Sequence, residues 1–590
     1  MNLRPLHLGR ALWLAPLALA VACSGDDGAV DAEDAASGAD AADTGVADLF
    51  DDASDEPDVG EPPVDPETLW ADYVPAPPPI PRLTSDQLDN ALRDLFGEDI
   101  VIPDVAWDDL SDGGFAAVGA GDSTLSPRTA EDLERAAGDM ARQALTEERR
   151  DLLMTCEPAG LVDDDCAAAV LSAFGRRAWR RPLTDDELAR LVTLSADAAN
   201  VLGDFYAGLE YGISGVIQSP HFLYRREVGV LEPDTGWRRY TDLELASRLA
   251  FTLWNTIPDE ALLTAAESGA LSTDEGLREQ VQRLLGDERA REGVLTFFRQ
   301  WYQLDELTHL SKDPQVFTAM SPQLGESARL EALLGLEHVV FETDSDFREL
   351  FTTNRTFLDR KLAALYGVPA PSRDGFAEAF LPPDGARRGF LGQAAFLALH
   401  SHPVSSSATL RGLFVREKIL CSPVGAPPSD VDTSIPEPSG EAPTLRERVA
   451  EHLEAESCRG CHLQMDPIGL GFENFDGVGR FREFDTRGGL ENPALIDPSG
   501  DLDGAPFTDA WELGELVASH PRFGRCVAQS WMRFGTGTIE GLDQYPGVLG
   551  LTAEFEQGGF RVLDMIERFV MSPAFRYAGD IEDETEEAQP

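Results

Sequence analysis

From residue 80 onward the apolar positions recur at helical spacing. Leu88, Leu92, Leu95 and Phe96 fall on one face of a predicted helix that Thr84 or Ser85 caps and Gly97 stops. A second helix is predicted from Ala130 to Leu145. The region from Cys166 to Ala198 is helical but interrupted: Pro182 breaks it, and Thr184, with Glu187 three residues on, starts it again as a capping box. A long apolar helix over 203–225 ends in Ser219-Pro220-His221-Phe222, and Ser572-Pro573-Ala574-Phe575-Arg576 repeats the device near the chain's end. Both predict a helix stopped by Ser-Pro, with an aromatic ring tucked back onto the core; His221 reads as a packed residue there. Between Asp242 and Trp254, Leu243, Leu245, Ala246, Leu249 and Leu253 keep a period near 3.6, and further helices follow to Tyr366. After a Pro- and Ser-rich loop over 422–443, an amphipathic helix from Leu445 to Glu456 runs into Cys458. The predicted fold is all-α, a multi-domain helical array with short connections.

The start of the chain follows a different pattern. Arg4 and Arg10 give a basic start to a short apolar run, Ala11 to Ala22, which predicts an export signal over 1–22 rather than a membrane span. Ala20-Val21-Ala22-Cys23 resembles the lipobox of bacterial lipoproteins, with Ala20 where Leu is usual; this implies lipidation of Cys23 and anchoring in the cell envelope, at the outer membrane, in the periplasm or on the cell surface. Residues 23–79 are acidic, rich in Ala, Gly and Pro, and predict a long disordered linker. The remaining expected divisions are 80–150, 151–230, 235–370, 385–482 and 500–578, with an acidic tail over 579–590.

A net charge of −57 on 590 residues argues against nucleic-acid binding, since phosphates would be repelled. The Arg-rich run Arg176-Arg177-Ala178-Trp179-Arg180-Arg181 could take an anion such as a substrate carboxylate, although pairing with local acids such as Asp185 and Asp186 is the expected role. The signatures of nucleotide loops, zincins and serine hydrolases are missing.

One stretch carries nameable chemistry. Cys458-Arg459-Gly460-Cys461-His462 is the C-x-x-C-H signature of c-type haem attachment. Two thiols on one helical turn can each add to a haem vinyl group, and the following imidazole becomes the proximal iron ligand. A disulfide, a redox dithiol or a zinc site are the alternatives; zinc lacks a second ligand pair nearby. The distal ligand is open among Met532, Met465, His452, His400, His402 and His520. With Cys23, Cys458 and Cys461 set aside, Cys156, Cys166, Cys421 and Cys526 remain, an even number for an oxidising compartment; Cys156 with Cys166 is the favoured pair, leaving Cys421 with Cys526. Asp466-Pro467 with Gly469, and Glu473-Asn474-Phe475-Asp476, read as turns beneath the haem rather than catalytic acids. Asp497, Asp501 and Asp503 fail the spacing of a calcium loop, so calcium is an unlikely cofactor.

The chain resembles a modular family found in planctomycetes and myxobacteria, built of five consecutive domains of unknown function and often carrying a cytochrome-type motif. The resemblance rests on Pro81-Arg82-Leu83-Thr84 with Arg93 to Gly97, Phe174 to Leu183, and Leu245 to Leu249 with Leu253 to Asp259. It continues through His402-Pro403, Leu410 to Gly412, Cys461 to Gly469 with Glu473 to Arg480, and Ser572 to Arg576. It implies a cytochrome c-like haem-binding region near the C-terminus; the family pattern also has a Met at the position of Met465 and tends to have a His at that of His452. The reading is an envelope lipoprotein with one covalent haem c that exchanges electrons with a redox partner protein. The alternatives are a haem-dependent oxidoreductase of the peroxidase or dehydrogenase kind, acting on an organic substrate, and a non-haem binding or scaffold protein with structural disulfides.

Overall fold

The predicted helices are fixed at their starts by side-chain caps. In the computed structural model, which describes residues 65–425, 443–452, 456–486 and 493–581, Thr84, Thr184 and Thr241 each form a reciprocal capping box with Gln87, Glu187 and Glu244. These boxes open helices Ser85–Phe96, Asp185–Leu202 and Asp242–Leu253. The 1–22 segment, Cys23, the acidic stretch to 64, most of the 422–443 loop and the last nine residues lie outside the described part; residues 451–452 and 456–458 are described by backbone alone.

Two large apolar cores organise the helices, each shared by several of the expected segments. One gathers Leu88, Leu92, Phe96, Leu133, Phe174, Leu209, Ile213 and Phe222 from the first two segments. The other runs from Leu245 through Phe297, Trp301, Phe347, Phe396 and Phe472 to Trp531 and Phe569, so the last three segments share one interior. Phe251 and Ile257 belong to the first core although they sit in the third segment, which joins the two cores side by side. The described residues from 65 onward belong to one compact unit.

The two Ser-Pro devices have the same build. Ser219 and Ser572 each precede a four-residue helix with Pro in its first turn, Pro220–Leu223 and Pro573–Arg576. Phe222 and Phe575 are both fully buried. Beyond each device the backbone is extended: Tyr224 bridges to Arg82, and Tyr577–Ala578 pairs antiparallel with Arg238–Arg239. The described strands are all short; the longest pair, Arg355–Leu358 with Ala377–Phe380, has four residues a side.

The expected linker ends earlier than its composition predicts. Asp65 caps helix Pro66–Ala71, whose Trp70 packs against Gly547 and Gly550 of helix Tyr545–Gln557, while Tyr73 is buried. Two aromatic side chains supply enough apolar area to dock this stretch despite its acidic, Pro-rich surroundings. The same stretch binds the other end of the chain through Gly579 N–H to the Ala76 carbonyl, so the tail's first residues are placed too. Among the described residues no helix is long and apolar enough to cross a membrane.

Both expected disulfides are present, Cys156–Cys166 and Cys421–Cys526. The Arg-rich run serves packing, with partners other than those expected. Arg176 pairs with Glu260 and Glu267 rather than with Asp185 or Asp186, and Arg181 makes a two-pronged pair with Glu187. Arg180 is buried and donates to the carbonyls of Ala178, His221, Phe222 and Tyr224, holding the first Ser-Pro device. His221 lies against Trp179, with ring centroids 4.9 Å apart.

Candidate functional site

Helix Glu456–Gly469 carries the C-x-x-C-H sequence in its first two turns. Its second half crosses helix Ala408–Phe414 at very close range. A Cβ on Gly412 would overlap the carbonyl of Met465, and one on Gly469 would overlap that of Ala408. Only glycine lets the two backbones approach so closely. Leu445 and Val449 of helix Leu445–His452 pack on Ala408 and Leu470 beside this crossing.

The fixed helix positions His462. Its Nδ1 lies 2.7 Å from Oδ2 of Asp466, one turn on, and the Asp466 side chain is only 1% exposed. Thr409 Oγ1 donates to the other carboxylate oxygen at 2.8 Å. Here the structure corrects the expectation of a turn at Asp466-Pro467. The helix runs through Pro467, losing only the bond that a proline nitrogen cannot donate, and Asp466 is a side-chain partner of His462. The i, i+4 spacing is the signal that gives this pair away. Cys461 is half-buried and outside any disulfide, with Sγ 3.6 Å from the carbonyl of Gly425.

The turn expected after the helix is present. Asp476 Oδ1 accepts from the Val478 and Arg480 amides. Arg411, fully buried, donates to the carbonyls of Leu397, Phe472, Phe475 and Asp476. Burial lowers its pKa to about 10, so it remains charged at neutral pH. Glu473 accepts from Ser406 and Arg482. The run Glu473 to Arg480 is thus a braced support for the end of the helix.

The distal candidates are dispersed. Met465 is buried one turn after His462 on the same helix, whereas a distal ligand must reach the iron from the face opposite the proximal one. Met532 is buried in the large core, on helix Arg522–Thr536. His400 packs on Phe414 with centroids 4.2 Å apart, and its buried Nε2 has no hydrogen-bond partner. Burial, then Arg411, Lys312 and Lys418, pushes its pKa down to about 3, so it is neutral. His402 is exposed, and its carbonyl accepts from Lys312. His520 has both ring nitrogens engaged, Nε2 with Asp503 at 3.1 Å and Nδ1 with the Arg522 amide at 3.1 Å. The side chains of His452 and Cys458 lie outside the described residues.

The three aspartates weighed for calcium point to separate partners. Asp503 pairs with Arg416 and His520, Asp497 accepts from the Ser499 amide, and Asp501 accepts from that of Gly504. Among the described residues no group of three His, Cys, Asp or Glu side chains converges to hold a metal ion.

A single-histidine haem iron needs no such convergence, and the donor set suits one: a cysteine outside any disulfide at the second position of the motif, then an imidazole whose Nδ1 is already held by a carboxylate. The fold and this helix define a mainly helical protein with a C-x-x-C-H segment seated on a second helix. Five protein families of unknown function match it in succession: DUF1587 over residues 82–146, DUF1595 over 166–227, DUF1592 over 240–368, DUF1588 over 387–485 and DUF1585 over 503–575. The chain belongs to the group of proteins composed of these five domains, and the C-x-x-C-H helix falls in the DUF1588 segment. No curated protein matches the chain, and no solved structure does.

Proposed function

We propose that this chain is an exported cell-envelope protein, anchored through Cys23, that carries one haem c on Cys458 and Cys461 with His462 as proximal ligand and exchanges electrons with a redox partner protein. The observation that carries the reading is the join of the motif to its support: the imidazole that follows the two thiols is held through Nδ1 by a buried carboxylate. Ligand histidines are commonly oriented in this way. When bound, the haem supplies a one-electron couple. The chain's own residues do the rest. The thiols tether the group, Asp466 and Thr409 orient the imidazole, and the Gly412–Gly469 crossing keeps that pair in place.

A haem-dependent oxidoreductase is the second reading. It is favoured by the carboxylate on the imidazole, which suits a site working in higher oxidation states. The test is an absorption spectrum of the full chain produced with the haem-attachment machinery, oxidised and reduced, beside Cys461→Ala. We expect a c-type spectrum in the wild type and an altered or absent one in the variant. A folded wild-type protein without haem absorbance overturns both readings and leaves a disulfide-stapled binding protein.

A further inference from the structure

We infer that Asp466 is a positioning residue that makes His462 an electron-rich ligand through Nε2 and so draws the iron couple toward the oxidised state. The inference rests on haem attachment at Cys458 and Cys461. Its own support is geometric. His462 and Asp466 stand one helical turn apart, with Nδ1 and Oδ2 at 2.7 Å. With the hydrogen on Nδ1 donated to the carboxylate, the ring nitrogen that can reach a metal is Nε2.

The carboxylate is not a mobile surface group. Its side chain is 1% exposed, and its second oxygen is held at 2.8 Å by Thr409 of the neighbouring helix. That helix cannot slide, because Gly412 and Gly469 set each backbone against a carbonyl of the other. Arg416 adds a further tie from the segment after it, donating from Nε to the Gln464 carbonyl at 2.9 Å.

A hydrogen bond to an ionised acceptor is roughly twice as strong as one to a neutral carbonyl. A carboxylate on Nδ1 therefore passes more electron density into the ring than a backbone carbonyl would, and an electron-rich ligand favours ferric over ferrous iron. The consequence for the proposed function is a low-potential centre: a carrier that gives up its electron readily, or a site that tolerates oxidised iron.

The test uses the full haem-loaded chain and Asp466→Asn, which keeps the shape and removes the charge. Covalent haem is counted by mass and by the pyridine spectrum, and the midpoint potential is read by spectroelectrochemistry. We expect unchanged haem stoichiometry and at least a tenfold shift of the ferrous-to-ferric ratio toward ferrous, about 59 mV upward for a one-electron couple. If the variant does not fold, nitrogen NMR of the His462 ring in the diamagnetic carbonyl form of the wild type decides. Nδ1 must carry its hydrogen and be displaced toward the imidazolate side of carbonyl-bonded imidazoles. A haem-bearing variant with an unchanged potential, or a wild-type Nδ1 shift typical of a carbonyl-bonded ring, overturns the inference alone. A wild type without covalent haem overturns the attachment reading and this inference with it.

Discussion

Two histidine–aspartate pairs bear on helix Glu456–Gly469, one within it and one outside it, and they are built for different work. His462 and Asp466 lie on the helix itself, and the carboxylate is sealed in. His520 and Asp503 reach the helix from outside, through Arg416, whose guanidinium grips Asp503 with two bonds and the Gln464 carbonyl with a third. The Asp503 side chain is 41% exposed and shared with that cation, and both His520 nitrogens are already used by the protein. The same two residue types therefore make an oriented, sealed imidazole in one place and a clip in the other. What separates them is burial and the remaining partners, neither of which residue type discloses.

The clip is duplicated by a covalent bond, and removing that bond gives the largest expected effect. Cys421 follows the turn that carries Arg416, and Cys526 lies on the helix that begins just after His520. The disulfide thus staples the two segments that Arg416, Asp503 and His520 join by charge. It closes a loop with a separation of 105 residues, and by the chain-entropy model a closure that long stabilises the fold by about 5 kcal/mol. Cys421→Ser with Cys526→Ser should lower the denaturant midpoint accordingly. Cys156→Ser with Cys166→Ser, whose loop has a separation of 10, should lower it less, by about 3 kcal/mol. Equal losses would mean that strain or residual structure, not loop length, sets the contribution.

Gly469→Ala tests the other region. The new methyl would overlap the Ala408 carbonyl, and backbone cannot give way as a side-chain tip can. Overpacking of this kind costs about 3 kcal/mol. Thermal unfolding should show the loss, and Thr409 should no longer reach Asp466. A variant of wild-type stability would mean that the two helices separate freely, and the fixed geometry argued for His462 would fail with it.

Asp466→Asn comes next. It weakens the buried bonds to His462 and Thr409 without opening a cavity, and losses at such sites run to about 2 kcal/mol. Chemical denaturation of the haem-free chain isolates this structural part from any effect on the iron. A neutral result there, joined to a shifted potential in the loaded protein, would show that the bond exists for the ligand rather than for the fold.

Much of this arrangement was legible in the chain. The capping box of Thr184 and Glu187, the paired Ser-Pro devices and the short Cys156–Cys166 loop are local signals that local chemistry decides, and Cys421 with Cys526 is the pair they leave over. The end of the acidic stretch was not legible, because Trp70 and Tyr73 acquire their meaning only when helix Tyr545–Gln557 offers glycines to pack on. The partners of Arg176 were missed for the same reason: Glu260 and Glu267 become neighbours only after two helices dock. Asp466 was open to a better reading. A proline at the next position suggested a turn, yet a helix secured by its crossing with another tolerates one missing bond, and the i, i+4 spacing from His462 was in plain view.

The smallest expected effect belongs to the clip itself. Asp503 is held well below the usual carboxylate range, first by its bond to His520 and then by Arg416. A carboxylate with a depressed folded-state pKa stabilises the fold above its unfolded value, and that contribution fades as pH falls through the folded value. Because the group is more than a third exposed, solvent screens the pair, and Asp503→Asn should cost less than about 1 kcal/mol at neutral pH. The gap between wild type and variant should narrow as pH falls below about 4, and in high salt. Parallel urea titrations at two pH values and two salt concentrations would measure it. A loss as large as that of Asp466→Asn, insensitive to salt, would mean that the outer pair also acts as a buried determinant, and the contrast between the two histidines would not stand.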